Sequence, residues 1–489
     1  MLIIVLVAGV TIGFVSYLIW LENYWKRRGI HGIKTDLLFG NIKKLIVGKK
    51  PFPCSVLDRY RTLKGFKLKH GGIFTYTKPT YIPIDPMIIK HILQADARHF
   101  LSRGLYHTPA DILSMNLLNL EGERWKCLRA KLSPTFTSGK IKITHQILLE
   151  KAELMAAVVG KSVDDNQLCD IKDVLSRYTI DIIGNCAFGI ESDSLQNVDD
   201  IFIRYGKKIF ERSRLKLVLL QVLPWNLLAY LGYRSEGRDI SRFFSNFVAR
   251  MIDYRKTNAI YRKDFLQLML DTKIDDHGLT LEEITAQAYI FFTAGFETSS
   301  NALQFALLEL AGNPEIQDKL RGEIEEVLSK YHGQLVYEAV QEMVYLDKVV
   351  KETLRKYPAT AALPRVCTKD YKIPGTGLLI EEGIRVQIPI YGIHMDPEYY
   401  PLPEQFNPEN FNEENKAKRL DCSFLPFGEG PRICIGMKFG LLQVKIGLVT
   451  LIRQFVFVLN NKTIFPVNVK DRGGLLTIKE DIWFDIRRI

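Results

Sequence analysis

The chain has 489 residues, of which 47% are hydrophobic and 25% are charged. This balance is typical of a large folded core and excludes a disordered or fibrous protein. Its seven cysteines are few and odd in number, and they form no C-x-x-C pair. They exclude a disulfide-stapled scaffold and a zinc finger, and they favour a reducing compartment.

The net charge is strongly positive, because 66 lysines and arginines oppose 55 aspartates and glutamates, giving +11. Such an excess suits an acidic partner or an anionic membrane surface, and equally a basic surface with no partner. No lysine-rich block interleaved with aromatic residues occurs. The charge therefore does not indicate nucleic-acid binding.

The first element is an uncharged apolar run from Leu2 to Leu21. Twenty helical residues at about 1.5 Å each span the ~30 Å hydrocarbon layer. Trp20, Tyr24 and Trp25 stand where interfacial aromatic residues belong, and the basic residues 26–28 follow. The positive-inside rule predicts a transmembrane anchor with the rest of the chain in the cytosol. A cleaved signal peptide is the alternative, but the run is long and lacks both a basic start and an A-x-A site.

The predicted organisation is an anchor over 1–21, a basic linker over 22–50 and one large domain over 51–489. Residues 71–86 and 371–389 are rich in β-branched and aromatic residues and predict strands. Long amphipathic segments predominate between them, and no Gly/Ser linker divides the domain. The predicted fold class is mainly α with small β-sheets.

A second apolar stretch runs from Leu217 to Leu231 and is interrupted by Gln221, Pro224 and Asn226. The interruptions make it a poor transmembrane span. Two interpretations stay open at this point: a surface loop that dips into the bilayer, and a pair of buried core helices.

A long helix is predicted from Leu281 to Ala311, after a capping box at Thr280 and Glu283. Its 31 residues would measure about 46 Å. Its middle, residues 294–300, has the sequence AGFETSS, which combines weak helix formers with a costly buried acid. The small residues indicate either a site where a ligand approaches the helix or a helix–helix crossing at Gly295.

A second helix is predicted from Tyr345 to Lys356, ending before Pro358. Glu352 and Arg355 share one of its faces at a spacing of i, i+3. Most such pairs are surface ion pairs of small value, so the spacing alone is weak evidence of a site.

The most informative segment is the glycine-rich loop 427–436, FGEGPRICIG, which leads into an apolar helix predicted over 435–455. A cysteine at a helix start meets free N–H groups that favour the thiolate, and the nearby Arg432 suits a carboxylate. A lone cysteine is usually a buried apolar residue. Here the surrounding pattern predicts a thiolate metal ligand at Cys434.

This loop resembles the haem-ligand motif F-x-x-G-x-R-x-C-x-G of the cytochrome P-450 family. Three further motifs follow the family's order: Trp125-x-x-x-Arg129, Ala294-Gly295-x-Glu297-Thr298, and Glu352-x-x-Arg355. The resemblance covers nearly the whole chain. The flanking text is most similar to microsomal animal members that oxidise drugs and toxins, especially those of insects.

The resemblance implies a haem b group whose iron is bound by the thiolate of Cys434. Thr298 and Glu297 would steer protons to oxygen, and Gly295 would leave room for it. Glu352 and Arg355 would form a buried structural pair. The remaining expected contacts to the haem come from Trp125, Arg129, Arg365, Phe427, Arg432 and Gly436.

The resemblance also implies an NADPH-dependent flavoprotein reductase as electron donor, with cytochrome b5 as a further donor, at the endoplasmic reticulum membrane. No G-x-G-x-x-G motif in the right context indicates a nicotinamide-binding fold of the chain's own. Lys126, Lys131 and Lys438 are expected to meet the reductase, or else are merely solvated.

The expected substrate is a lipophilic small molecule, either a xenobiotic or an endogenous lipid or hormone. By analogy with the family, the pocket is lined by residues 100–120 and by loops near Leu217 and Thr360. The apolar residues expected there are Leu105, Ile112, Leu113, Leu118, Ala361, Ala362 and Leu363.

Two features depart from the family's pattern. Asn410 stands where the family has the arginine that joins the E-x-x-R pair, which leaves the third partner open. Residues 31–35 lack the usual proline-rich hinge. Two other functions are compatible with a haem-thiolate site: a haem-thiolate isomerase or dehydratase that needs no reductase, and a non-catalytic haem-binding membrane protein. The retained Glu297–Thr298 pair argues against both.

Overall fold

The computed structural model describes residues 1–489 except 37–38, 191, 198, 212–213 and 275–276. Helices predominate. In chain order they are α1 (Leu2–Glu22), α2 (Tyr24–Arg27), α3 (Lys43–Ile46), α4 (Phe52–Gly65), α5 (Pro86–Lys90), α6 (Gly122–Leu132), α7 (Ser138–Asp164), α8 (Ile171–Ile183), α9 (Ile201–Ile209), α10 (Arg214–Val222), α11 (Trp225–Tyr230), α12 (Arg238–Thr257), α13 (Phe265–Asp271), α14 (Leu281–Gly312), α15 (Pro314–Lys330), α16 (Tyr337–Glu342), α17 (Val344–Lys356), α18 (Ile390–His394), α19 (Glu413–Lys418) and α20 (Met437–Gln454).

The strands are short. They are β1 (His70–Thr75), β2 (Lys78–Pro83), β3 (Lys273–Ile274), β4 (His277–Gly278), β5 (Leu363–Val366), β6 (Tyr371–Lys372), β7 (Leu379–Ile380), β8 (Arg385–Ile388), β9 (Phe455–Leu459), β10 (Val469–Arg472), β11 (Leu475–Ile478) and β12 (Phe484–Arg488). One four-stranded sheet has the order β1-β2-β8-β5, and the other strands pair in twos. The predicted class, mainly α with small sheets, is confirmed.

The long helix α14 is the central element of the fold, and it packs against α8, α12, α17, α20 and β9. Its N-terminus has the predicted capping box: Thr280 Oγ accepts from the backbone N–H of Glu283, whose side chain accepts from Thr280 N–H. Most of its side chains are buried on several faces. A helix that is apolar nearly all round needs such enclosure, so α14 fixes the positions of the elements around it.

The N-terminal helix α1 contains a stretch, Ile4–Leu21, whose mean hydropathy of 2.3 and length suffice to cross a membrane. Most of its side chains are exposed, but Leu18 and Leu21 are buried against the domain. The helix therefore fits an anchor by length and composition. The division of the chain at residues 21 and 50 stays a prediction.

The segment after α1 packs on the domain. Trp25 is 2% exposed, and its indole Nε1 donates to Ile73 O of β1 at 3.0 Å. Tyr24 is buried as well, and its hydroxyl donates to Glu381. The expectation that Tyr24 and Trp25 lie at the lipid interface is wrong, because both rings fill space against the body of the protein.

The stretch 217–231 forms α10 and α11 with the break at Pro224. Leu228 is buried, whereas Tyr230 and Leu231 are 88% and 63% exposed. A pair of buried core helices is therefore wrong for α11, which presents apolar side chains to the outside.

We expect Gly72→Ala to destabilise the protein by about 1–3 kcal/mol, the usual cost of overpacking. A Cβ atom on Gly72 would lie 2.3 Å from the ring of Trp25, which is itself enclosed. The measurement is the free energy of urea-induced unfolding. Gly65→Ala on α4 is the control, since nothing lies within 4 Å of its Cβ position. Equal stability of the two variants would contradict the packing of Trp25 under β1.

Candidate active site

A large internal cavity lies between α14, α6, β5 and the loop before α20. Its volume is about 1650 Å³. Pockets for a single small molecule are usually about 300–1,000 Å³. The cavity therefore has room for a large flat group together with a second, smaller molecule.

The cysteine loop forms one wall of this cavity. Cys434 N–H donates to Phe427 O at 3.0 Å and closes the loop. Gly430 has φ +72°, and a Cβ atom there would lie 1.7 Å from Leu93 O, so only glycine fits. The loop holds the Cys434 side chain exposed towards the cavity.

Helix α20 begins at Met437, not at Ile435 as predicted. Cys434 therefore precedes the first helical turn, and Gly436 is the residue at the helix boundary. Burial raises the pKa of the Cys434 thiol, while the backbone N–H of Gly436 and the charges of Arg103 and Arg129 oppose the rise. The protein alone therefore stabilises the Cys434 thiolate only in part, and a bound metal cation would provide the remaining stabilisation.

Four arginines surround the same part of the cavity: Arg103, Arg129, Arg365 and Arg432. Two of them brace the cysteine loop, since Arg129 Nη2 donates to Ile433 O at 2.8 Å and Arg103 Nη2 donates to Arg432 O at 2.9 Å.

Arg432 lies over the ring of Trp125, with its Cζ 3.7 Å from the ring centroid. Its Nε and Nη2 each donate to a backbone carbonyl at 2.7 Å, those of Leu101 and Leu120. Trp125 and Arg432 both lie in the cavity wall; their contact with haem, which the family resemblance implies, stays a prediction.

Among the residues that the structure describes, none of these four guanidinium groups has a carboxylate within 4.0 Å. Burial and the like charges of Arg103 and Arg432 lower the pKa of Arg365 to about 9. Burial, Arg103 and Arg129 likewise lower the pKa of Arg432 to about 9, against the attraction of Glu121. Such a cluster is costly without an anion. The two carboxylates of a haem, beside an exposed thiol, fit this donor set.

Helix α14 forms the opposite wall with Ala294, Gly295, Thr298 and Ser299. Thr298 Oγ1 donates to Ala294 O at 2.8 Å, the backbone contact that its position predicts. A Cβ atom on Gly295 would lie 2.3 Å from Ile183 Cδ1 of α8. Gly295 therefore borders the cavity and also allows the crossing of α14 and α8.

Glu297 does not face the cavity with Thr298. Its side chain is 5% exposed, and its Oε1 lies 3.8 Å from Arg472 Nη1 without a hydrogen bond within the described residues. Burial raises the pKa of Glu297, and the charges of Arg472 and Lys172 and a hydrogen bond with Asn301 oppose this. The carboxyl group of Glu297 is therefore buried beside two positive charges that only partly offset the cost of its burial.

The E-x-x-R pair is completely buried. Arg355 Nε and Nη2 each donate to a Glu352 carboxylate oxygen at 2.8 Å. Asn410 Nδ2 donates to Glu352 Oε1 at 3.2 Å. The side-chain amide of Asn410 therefore takes the place of the family's arginine as third partner of the pair. It contributes a hydrogen bond but no charge.

His394 links this pair to the cysteine loop. Its Nε2 accepts from Leu425 N–H at 2.9 Å, so the ring proton is on Nδ1 and is donated to Arg355 O at 3.0 Å. Burial and the charge of Arg355 lower the pKa of His394 to about 3. The neutral ring therefore connects α17 to the loop segment that leads to Phe427.

Most of the pocket residues expected by analogy lie in the cavity wall, namely Leu105, Leu113, Leu118, Ala362 and Leu363, whereas Ile112 and Ala361 do not. Phe427 and Gly436 also lie there. The sequence analysis missed Arg103, Lys172, Arg472 and His394. Each is an isolated residue with no motif around it, so only the fold brings it to the site.

Comparison with known proteins agrees with this geometry. The family model for cytochrome P450 matches residues 38–483, so the chain belongs to the cytochrome P450 family. It is a haem-thiolate monooxygenase, a class that binds haem iron through a cysteine thiolate and takes electrons derived from NADPH through a reductase.

Insect proteins are among its relatives. The chain is 38% identical to the probable cytochrome P450 6a14 of Drosophila melanogaster, over 100% of both chains. It is 39% identical to cytochrome P450 6A1 of Musca domestica, over 98% of this chain and 97% of the relative. The resemblance to insect members is confirmed.

We expect Glu352→Gln to destabilise the protein by about 3–5 kcal/mol, because it leaves the Arg355 charge buried without its partner. The measurement is urea-induced unfolding together with the soluble yield. Glu413→Gln is the matched control, since Glu413 forms an i, i+3 pair with Lys416 on the exposed surface. If both variants unfold like the wild type, the buried pair does not stabilise the core.

Proposed function

We propose that the chain is a membrane-anchored monooxygenase that inserts one oxygen atom of O2 into lipophilic small molecules, either xenobiotics or endogenous lipids and hormones. The observation that carries this proposal is the position of Cys434. Its side chain is exposed to a cavity of about 1650 Å³, with four arginines around it and the Gly295–Thr298 face of α14 in the same wall.

In this proposal Cys434 binds the haem iron, and Arg103, Arg129, Arg365 and Arg432 hold the haem carboxylates. The iron, when bound, supplies the activation of O2. The backbone N–H of Gly436 tunes the charge on the Cys434 sulfur. The ring of Trp125 packs against the guanidinium of Arg432 and holds it in position. Phe427 shields the sulfur from the outside.

Thr298 relays protons to the cavity through its hydroxyl group, which can both donate and accept a hydrogen bond. Its hydrogen now goes to Ala294 O, which leaves the oxygen lone pairs free to accept a hydrogen bond from the cavity. Glu297, the preceding residue of α14, takes up and releases a proton at its carboxyl group, beside the positive charges of Arg472 and Lys172. A water molecule or a side-chain rotation must connect the two residues, since Glu297 does not line the cavity.

The proposed location is the endoplasmic reticulum membrane, with the domain in the cytosol. The apolar Ile4–Leu21 stretch and the basic residues after it support this. Exposed apolar side chains of α11, including Leu227 and Tyr230, support a second contact with the bilayer surface.

The test of the ligand is Cys434→Ser. We expect the ferrous carbonyl complex of the wild type to show the red-shifted Soret band of thiolate-ligated haem, and the serine variant to lose it. Cys186→Ser is measured in parallel, because Cys186 also lies in the cavity wall. Loss of the band in the Cys186 variant, and not in the Cys434 variant, would contradict the assignment.

The electron donor is proposed to be an NADPH-dependent flavoprotein reductase, with cytochrome b5 as a second donor. Lys126 and Lys131 extend from α6, which also carries Trp125 and Arg129. Lys438 Nζ lies 2.9 Å from Ser138 Oγ, at the start of α20 beside the cysteine loop. All three are exposed, and Lys126 pairs with Glu123; their exposure supports a basic surface on the cysteine side of the cavity.

We expect neutralisation of Lys126, Lys131 and Lys438 to alanine to lower the association rate with the reductase by about tenfold at low salt, with a weaker salt dependence. Stopped-flow reduction measures this. The control neutralises Lys416, Lys418 and Lys462, which are exposed elsewhere and change the net charge equally. Equal rates and salt dependence in both triple variants would overturn this surface.

A further inference from the structure

The side chain of Glu121 joins the two ends of the loop 105–119, which lines part of the cavity. Its Oε1 accepts a hydrogen bond from the hydroxyl of Ser102 and another from the backbone N–H of Gly104 at 3.1 Å. Ser102 is 7% exposed, so this contact lies inside the protein. Hydrogen bonds to a carboxylate are stronger than those between neutral groups. Glu121 therefore closes the base of the loop.

Glu121 makes this contact in place of a local one. It is the residue directly before α6, where a carboxylate usually accepts hydrogen bonds from the N–H groups of the first turn. Within the part of the chain that the structure describes, its side chain makes no such capping bond. The carboxylate therefore stabilises a distant turn rather than its own helix.

The turn that contains Ser102 and Gly104 packs against β5. Val366 N–H donates to Ser102 O at 2.9 Å. Gly104 has φ +61°, and a Cβ atom there would lie 2.5 Å from Val366 Cγ2, so a side chain would push the turn off the strand. Glu121 and Val366 thus hold the turn from two sides, and the backbone of its middle residue, Arg103, is fixed between them.

The side chain of Arg103 has few contacts of its own. Its Nη2 donates to Arg432 O at 2.9 Å, and among the described residues its guanidinium makes no other hydrogen bond. Burial lowers the pKa of Arg103 to about 10, a Cys434 thiolate opposes this, and the like charge of Arg129 adds to it. The position of this charge therefore depends on the backbone that carries it.

Arg432 is held more firmly. Its Cζ lies 3.7 Å from the ring centroid of Trp125, and its guanidinium donates to two backbone carbonyls at 2.7 Å. These contacts do not involve the side chain of Glu121. Loss of the Glu121 carboxylate should therefore displace Arg103 more than Arg432.

We propose that Glu121 is a positioning residue for the cofactor: its carboxylate fixes the turn so that Arg103 meets a carboxylate of the haem. This inference rests on the proposed function, because it takes Arg103 as one of the arginines that hold the haem carboxylates. Glu121 acts through Arg103 and takes no part in the oxygen chemistry. A displaced Arg103 leaves one haem carboxylate less well neutralised, so the haem leaves the protein faster.

The test measures the rate at which ferric haem transfers from the full-length, haem-loaded protein to excess apomyoglobin. We expect Glu121→Ala and Arg103→Ala each to lose haem about tenfold faster than the wild type, the scale of one hydrogen bond to a charged group. The double variant should lose haem no faster than Arg103→Ala, because both changes remove the same contact. By its charge alone Glu121 would repel the haem carboxylates, and its removal would slow the loss.

Glu123→Ala is the matched control, since Glu123 lies two residues away and its carboxylate pairs with Lys126 on the surface. It should lose haem at the wild-type rate. A rate in Glu121→Ala equal to or below that of the wild type would overturn the inference. Effects that multiply in the double variant would also overturn it, because Glu121 would then act without Arg103.

Two milder variants decide the question if Glu121→Ala does not fold. Ser102→Ala removes one of the two hydrogen bonds and should speed haem loss by about threefold. Glu121→Gln keeps an acceptor oxygen and should fall between the wild type and Arg103→Ala. Wild-type rates in both would overturn the inference.

Failure of the proposed function gives a different result. Absence of the ferrous carbonyl band of thiolate-ligated haem in the wild type would refute that function. A wild-type rate of haem loss in Arg103→Ala would refute its assignment of Arg103 to a haem carboxylate. Faster loss in Arg103→Ala together with unchanged loss in the Glu121 variants would refute only this inference.

Discussion

The structure depends on one electrostatic constraint: a thiol and four guanidinium groups line one cavity, and among the described residues no carboxylate lies within 4.0 Å of those guanidinium groups. The protein cannot relieve this arrangement internally, because Arg103, Arg129, Arg365 and Arg432 are held in place by backbone carbonyls or neighbouring rings. A group that combines a metal cation with two carboxylates relieves both problems at once. The haem of the P450 family is such a group, so the cofactor completes the core as well as the chemistry.

The cysteine loop is also held in place by a chain of hydrogen bonds that begins at the Glu352–Arg355 pair of α17. Glu352 holds Arg355, Arg355 O accepts from His394, and His394 accepts from Leu425 N–H two residues before Phe427. Each link is buried and directional, so a displacement at α17 reaches the loop that carries Cys434. This chain of hydrogen bonds explains how the buried Glu352–Arg355 pair supports the cysteine loop. The i, i+3 spacing of the pair does not show this by itself.

The sequence was sufficient for the parts of the site that are local in the chain. The cysteine loop, α14 with its capping box, and the helix with Glu352 all lie within a residue or two of where the patterns predict them. Arg103 and Arg472 could not be predicted, because each comes from a segment without a motif and meets the cavity only through tertiary packing. The interfacial placement of Trp25 failed for a related reason: an aromatic residue after an apolar run suits a lipid boundary and a protein core equally well, and only Gly72 across from it decides between them.

The same contact of Trp25 bears on the orientation of the molecule. The chain lacks the proline-rich hinge of its family, yet Trp25 is held beneath β1 and Arg28 forms a 2.7 Å ion pair with Glu381, next to β7. These two attachments join the end of the apolar helix to two separate sheets within a few residues. With α1 inserted in a bilayer, this side-chain docking would hold the catalytic body at a fixed tilt relative to the membrane plane.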